Sequence, residues 1–314
     1  MPHLYVFHYS DATSSLGTHD VCFKDCARPC PCSVPVGPQA FDVDAQGRAW
    51  IIDHAKGRVA AFDRRGRFLF DVTAPGNDYR NVDVQIVDGR PVVLRYEGTG
   101  FFFTIEGRRA GPLKELYVGD TRMPIVAQPF VVSQDRIIFQ PGLEGNMDPV
   151  EIDLSGDGRR AVGERVPGIP YRDGWLLWPE FISWRTHAFE MRTPEDSRRV
   201  EITYRLQGRR NGQIRRAGGV VSYEREVARD GTIHLLLFAG AAGWLQKSAY
   251  FYIWISPDGT VAEPVRLAYP DPPGVRRYSA TVPYRRLSLA PDDQPLIMWA
   301  GPERTVIVPA PYSG

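Results

Sequence analysis

Four cysteines fall within eleven residues, Cys22, Cys26, Cys30 and Cys32, spaced C-x3-C-x3-C-x-C with His19 and Asp20 just upstream. Thiolates this close can converge on one soft ion, and zinc takes four such ligands. They can equally form two disulfides that staple a long loop in an oxidising compartment, or remain free thiols. Of the pairings, Cys30 with Cys32 is the least suited, because two residues apart leaves little room for unstrained bridge geometry. The spacing follows neither the paired CxxC zinc pattern nor an iron–sulfur run.

Oxygen ligands gather in Glu144, Asn146 and Asp148, with His187 as an imidazole that could join them. Carboxylates and amides favour calcium or magnesium, and imidazole favours zinc, so a divalent cation is the cofactor these residues could hold. His54, Glu97, Arg185, His187 and Trp244 are the polar and aromatic candidates for a binding site on loops. Each has solvation as its bland explanation. Arg198, Arg199, Arg205, Arg209, Arg210, Arg215 and Arg216 crowd the stretch around the 208–218 connection. They either face water as a charged loop or contact phosphates or acidic sugars. The chain has no phosphate-binding glycine loop, G-x-S-x-G elbow, H-E-x-x-H helix or RNA-binding signature.

The elements that must position these groups are short strands. From Val36 to Val72 four apolar runs (40–43, 49–52, 59–62 and 68–72) alternate with turn-forming residues, the pattern of an antiparallel meander. Gly37-Pro38, Asp44 to Gly47, Trp50 with Asp53, and Phe62-Asp63 with Gly66 fall in an order that resembles an NHL-type repeat. That resemblance implies one blade of a six-bladed β-propeller. Meanders over about 80–118, 128–166, 172–206, 219–268 and 284–309 supply the others, as a single domain over 1–314, and residues 10–35 form a cysteine-rich loop between the first strand and the first complete blade. The last blade has only three strands of its own. Residues 3–9 supply its fourth, so the ring is expected to close by pairing the N-terminal strand into the last blade. Six blades give about 52 residues each, close to propeller repeat lengths. No helical period of ten or more residues appears.

In a propeller the loops joining strands two and three, and those between blades, meet at the channel mouth, where His54, Glu97, Glu144 to Asp148, Arg185, His187 and Trp244 are expected. Resemblance to the gluconolactonase and streptogramin-lyase families implies a divalent cation there, without a residue-by-residue match to either ligand pattern. The turns 229–234 and 256–260 are similar to sialidase Asp boxes but differ in Asp-to-Gly spacing, and Asp-Gly is a strong hairpin signal in its own right.

A net charge of +1 gives no long-range pull toward nucleic acid or an anionic membrane. The longest apolar run, 235–245, is about half a bilayer span. Starting from Met1, the chain opens directly into a strand pattern. The cytoplasm is the expected compartment if Met1 is the native start, and a secreted or periplasmic location if a signal was trimmed. Two functions follow: non-catalytic recognition of a protein or glycan by the loop face, or a metal-dependent lyase or lactonase-like hydrolase at the channel mouth.

Overall fold

In the computed structural model the described residues are 5–17, 19–21, 34–38, 40–74, 81–87, 89–96, 101–105, 108–112, 130–133, 136–139, 149–152, 163–177, 180–183, 186–203, 207–210, 213–216, 219–241, 244–267, 286–300 and 304–312. In chain order the strands are β1 (Tyr5–His8), β2 (His19–Val21), β3 (Val34–Val36), β4 (Phe41–Val43), β5 (Ala49–Asp53), β6 (Arg58–Phe62), β7 (Phe68–Thr73), β8 (Asn81–Val87), β9 (Arg90–Tyr96), β10 (Phe101–Ile105) and β11 (Arg108–Pro112). There follow β12 (Phe130–Ser133), β13 (Arg136–Phe139), β14 (Val150–Ile152), β15 (Gly163–Arg165), β16 (Gly168–Tyr171), β17 (Gly174–Leu177), β18 (Glu180–Ser183), β19 (Thr186–Arg192) and β20 (Ser197–Thr203). The last are β21 (Gln207–Arg210), β22 (Gln213–Arg216), β23 (Gly219–Val227), β24 (Ile233–Ala241), β25 (Trp244–Ile255), β26 (Val265–Arg266), β27 (Leu287–Leu289), β28 (Pro295–Ala300) and β29 (Arg304–Pro309). Among the described residues one 3₁₀ turn, His54–Lys56, interrupts them. Among the described residues no helix is long and apolar enough to cross a membrane.

The chain divides into two compact units: Met1–Val118, Leu154–Ala161 and Tyr269–Ala310 in one, Gly119–Asp153, Val162–Ala268 and Pro311–Gly314 in the other. In the first unit β4 to β7 and β8 to β11 form four-stranded meanders, and β27 to β29 form a third with β1 on its edge. Tyr5 faces Ile307 and Phe7 faces Thr305 across the antiparallel β1–β29 pair. Tyr5 and Phe7 are buried with Phe41, Ile51, Phe62, Leu296 and Ile307 in one core. Burying each such side chain contributes roughly 1.5–3 kcal/mol, so β1 is held by packing as well as by its ladder.

The second unit holds the meanders β12 to β15 and β23 to β26, and between them in sequence a five-stranded sheet of β16 to β20. Five sheets are therefore four-stranded, where six four-stranded blades were expected. The departure has a physical reason. β20 occupies the whole of one edge of β19, while β17 pairs with Arg192 and Met191 and β18 with 186–188 on the other edge. The two short strands thus share one position in the sheet, and the sequence between them carries Pro179, which has no ladder donor. The sheet's first strand, β16, was not anticipated either. Ile169, Tyr171, Leu176, Phe189 and Met191 pack with Ile233, Leu235 and Ile253 in the unit's main core.

Five hairpin turns repeat one geometry, over 44–48, 63–67, 228–232, 256–260 and 290–294. In each the first residue's N–H donates to the fifth carbonyl and the fourth N–H donates back to the first carbonyl. The fourth residue is left-handed each time: Gly47, Gly66, Gly231, Gly259 and Asp293. Only glycine adopts that backbone freely, and Asp is among the few other residues that tolerate it. Asp44 and Asp63 accept two N–H bonds inside their own turns, and Asp230, Asp258 and Asp292 accept one. The 229–234 and 256–260 stretches are hairpin turns of this kind.

All five turns join strands one to two or three to four of a meander, so within each unit they lie at one end of the sheets. The opposite end carries the connections that leave a fourth strand, and two of these, 9–40 from β1 to β4 and 204–218 from β20 to β23, each contain an extra hairpin: β2–β3 and β21–β22. Both stretches were expected as loops.

Candidate functional site

In the first unit the chain leaving β1 folds back over the 3₁₀ turn. Leu16 is fully buried, and Gly17 N–H donates to Asp53 Oδ1 at 3.1 Å. Arg58 Nε donates to Asp53 Oδ2 at 3.1 Å and Nη1 to Asp71 Oδ2 at 2.7 Å, while Nη2 donates to the Ser15 carbonyl at 2.6 Å. Lys56 Nζ adds bonds to the carbonyls of Ala12 and Ser15. Asp53 has no exposed surface, and burial pushes its carboxyl above the usual range against the pull of Gly17 and Arg58. Burial likewise lowers the Lys56 ammonium. This clamp roots the stem that carries the cysteine segment. β2 and β3 pair His19 with Val36, Asp20 with Pro35 and Val21 with Val34.

A second polar feature runs along the first strands of the same unit. β27, β4 and β8 lie side by side, and each sets polar residues among buried apolar ones: buried Ser288 beside Leu287, half-buried Asp42 between Phe41 and Val43, buried Asp83 and Gln85 flanking Val84. Asp42 ties the three strands together. Its Oδ1 accepts Ser288 Oγ at 2.6 Å, and its Oδ2 accepts Ile86 N–H at 2.7 Å. Arg286, buried just before β27, stacks its guanidinium over Trp299 at 5.7 Å. Asp42→Asn keeps one oxygen to accept Ile86 N–H but turns an NH₂ toward Ser288 Oγ, so the charge-assisted bond from the serine hydroxyl is lost. It is expected to cost about 1–2 kcal/mol, read from the urea midpoint.

In the second unit β23 buries three consecutive charged residues, Glu224, Arg225 and Glu226. Behind them on β24 and β25, His234 Nδ1 meets Tyr252 Oη at 2.6 Å, and the rings of Tyr312 and Trp254 complete the pocket. His234 Nε2 is buried with no hydrogen-bond partner among the described residues.

The residues expected to converge fare differently. His54 lies in the 3₁₀ turn and is buried, not presented on an open loop. His187 sits inside β19 opposite Ile202, and burial pushes its imidazole below the usual range, because the strand begins two residues earlier than expected. Trp244 opens β25. Glu97, Arg185, Glu144, Asn146, Asp148 and the four cysteines lie outside the described residues. Among the described residues no group of three or more His, Cys, Asp or Glu could hold a metal ion. Sequence reading passed over Asp42, Asp83, Gln85, Arg286 and Ser288. Their signal was a charged or polar residue at alternate positions of a first strand, as in FDV, VDVQIV and RLSL.

No protein-family model matches the chain, and no curated protein sequence does. Among solved structures, a member of the DUF4221 family from Bacteroides vulgatus is similar over 98% of this chain and 95% of its own, at 8% identity and a TM-score of 0.51. A streptogramin B lyase covers 93% and 97% at 10% identity with a TM-score of 0.41. A gluconolactonase from Xanthomonas campestris covers 99% of each chain at 12% identity with a TM-score of 0.40. These are β-propeller proteins, and the likeness is one of fold: this chain has an all-β propeller fold.

Proposed function

We propose that the protein is a non-catalytic recognition propeller that binds a protein or glycan through the end of its sheets bearing the long connections. One observation carries this reading. In each unit the repeated five-residue turns occupy one end, and the chain builds extra hairpins, β2–β3 and β21–β22, into connections that leave from the other. Surplus chain on a rigid scaffold is where binding residues concentrate. Counting β16 to β20 as one blade gives six, and six NHL-type blades with the ring closed through β1 form part of this proposal. A cross-link at Cys22, Cys26, Cys30 and Cys32, by disulfides or a bound metal, would brace a stem only three residue pairs long, since an isolated hairpin is marginal in water. His54, Glu97, Arg185, His187 and Trp244 are the proposed contact residues, with the two buried histidines acting through the backbone they hold.

The test is binding on glycan and protein arrays before and after chelation, with metal analysis of the purified protein. Ligand retained in chelator and released unchanged supports recognition. A ligand consumed only when a divalent cation is present, with loss on changing Glu144, Asn146 or Asp148 to Ala, would establish the lyase or lactonase alternative instead.

A further inference from the structure

We propose that the hairpin β21–β22 binds the oxyanion groups of an acidic polysaccharide. This rests on the reading of the long-connection end as a recognition surface and supplies the chemical class of its partner. The ten residues QGRRNGQIRR carry four arginines and no acidic residue. Gln207 pairs with Arg216, Gly208 with Arg215, Arg209 with Ile214 and Arg210 with Gln213. Opposed residues share a face, so Arg209 and Arg216 are diagonal neighbours on one face and Arg210 and Arg215 on the other, about 7–8 Å apart at Cα. Asn211-Gly212 between the strands is the strongest signal for a two-residue hairpin turn.

Among the described residues the finger's sheet contains only these two strands. Ile214 is the single apolar residue among the ten, so the segment is rich in charge and poor in apolar surface. The arginines on the adjoining β20 are engaged elsewhere, Arg198 with Asp196 and the Pro257 carbonyl, Arg199 with Glu201. Guanidinium pairs of this kind take carboxylate or sulfate groups through two parallel bonds each. The net charge of the whole chain is +1, so everything outside the finger is net negative by three. A duplex, with a charge every ~1.7 Å of axis, would bring that repulsion into play, and the finger has no aromatic residue on which bases could stack. A sugar polymer with sparser carboxylate or sulfate groups can engage the finger alone.

The test uses the full chain on surfaces of dextran sulfate, polygalacturonate, neutral dextran, polyglutamate and a short DNA duplex, over a range of salt. Binding to dextran sulfate or polygalacturonate but not to dextran is expected, with affinity falling as salt rises. The variant R209S/R210S/R215S/R216S should bind roughly tenfold or more weakly with a shallower salt dependence, and the corresponding Arg→Lys variant should recover part of it. If the fourfold variant loses its folded circular dichroism, the pairs R209S/R216S and R210S/R215S remove one face each and must each weaken binding. Unchanged affinity in the variants, tighter binding to duplex or polyglutamate, or no binding to either acidic polysaccharide would overturn the inference. Should the arrays still return a ligand in that last case, only the partner class falls; should they return none, the recognition reading falls with it.

Discussion

Replacing Arg58 by Met lowers the stability of the folded protein by about 3–5 kcal/mol, the usual cost of breaking a buried ion pair from one side. Asp53 has no exposed surface, and Arg58 Nε at 3.1 Å is the cation that compensates it. With the guanidinium gone, Gly17 N–H is one donor for a charge that water cannot reach. The pH dependence follows from the direction in which burial already moves Asp53, upward. A carboxyl whose folded pKa is raised contributes most below its unfolded pKa, and loses that contribution as pH rises through the folded value. The deficit of the variant is therefore largest near neutrality and shrinks as acid protonates Asp53. Urea titrations across that range measure it, and the double variant Asp53→Asn with Arg58→Met should recover part of the loss. Amide exchange at Gly17 should accelerate in the single variant, since the same arginine holds the Ser15 carbonyl. Equal deficits at all pH values would show that Asp53 is not the group left uncompensated.

The second large effect belongs to His234. Burial lowers its pKa from 6.5 to about 4, with Asp230 pulling weakly the other way. The unfolded chain takes up a proton near 6.5 and the folded chain only near 4, so between these values the unfolded state binds more protons. Stability from this site is complete above pH 6.5 and is lost progressively down to pH 4, on the order of 3 kcal/mol in all. Charging the ring would place an imidazolium among Tyr252, Trp254 and Tyr312, and would leave Nε2–H without an acceptor. His234→Phe keeps a ring in the pocket and removes the titration. The difference in thermal midpoint between the parent and this variant should narrow in acid, with the parent losing more. A variant that loses as much as the parent would place the acid-sensitive group elsewhere.

The first complete sheet was legible almost residue by residue. Expected runs at 40–43, 49–52, 59–62 and 68–72 became Phe41–Val43, Ala49–Asp53, Arg58–Phe62 and Phe68–Thr73, because Asp44 to Gly47 and Asp63 to Gly66 fix both turns chemically. Pairing of β1 with β29 was legible by counting: the last meander lacked a strand. Less was readable where backbone pairing decides without an apolar pattern. The β2–β3 and β21–β22 hairpins are polar or cysteine-rich, and only Asn211-Gly212 marks one of them. The fourth strand of the second meander was expected at 113–118, but Arg108–Pro112 fills that place through a bulged ladder to β10. The site was legible least of all. His54 and His187 are polar residues that the fold buries, and a histidine near a strand end carries no local signal of which side it will take. The tie at Asp42 depends on Ser288, 246 residues away, and no local pattern reports that.

The central claim is that recognition belongs to the end of the sheets with the long connections. Hydrogen–deuterium exchange, with and without the tightest ligand returned by the arrays, tests it most directly. Protection is expected in 9–17 and 53–58 or in 207–216, with exchange unchanged in the turns 44–48, 63–67, 228–232, 256–260 and 290–294. Protection of those turns, with the hairpins unaffected, would contradict the account.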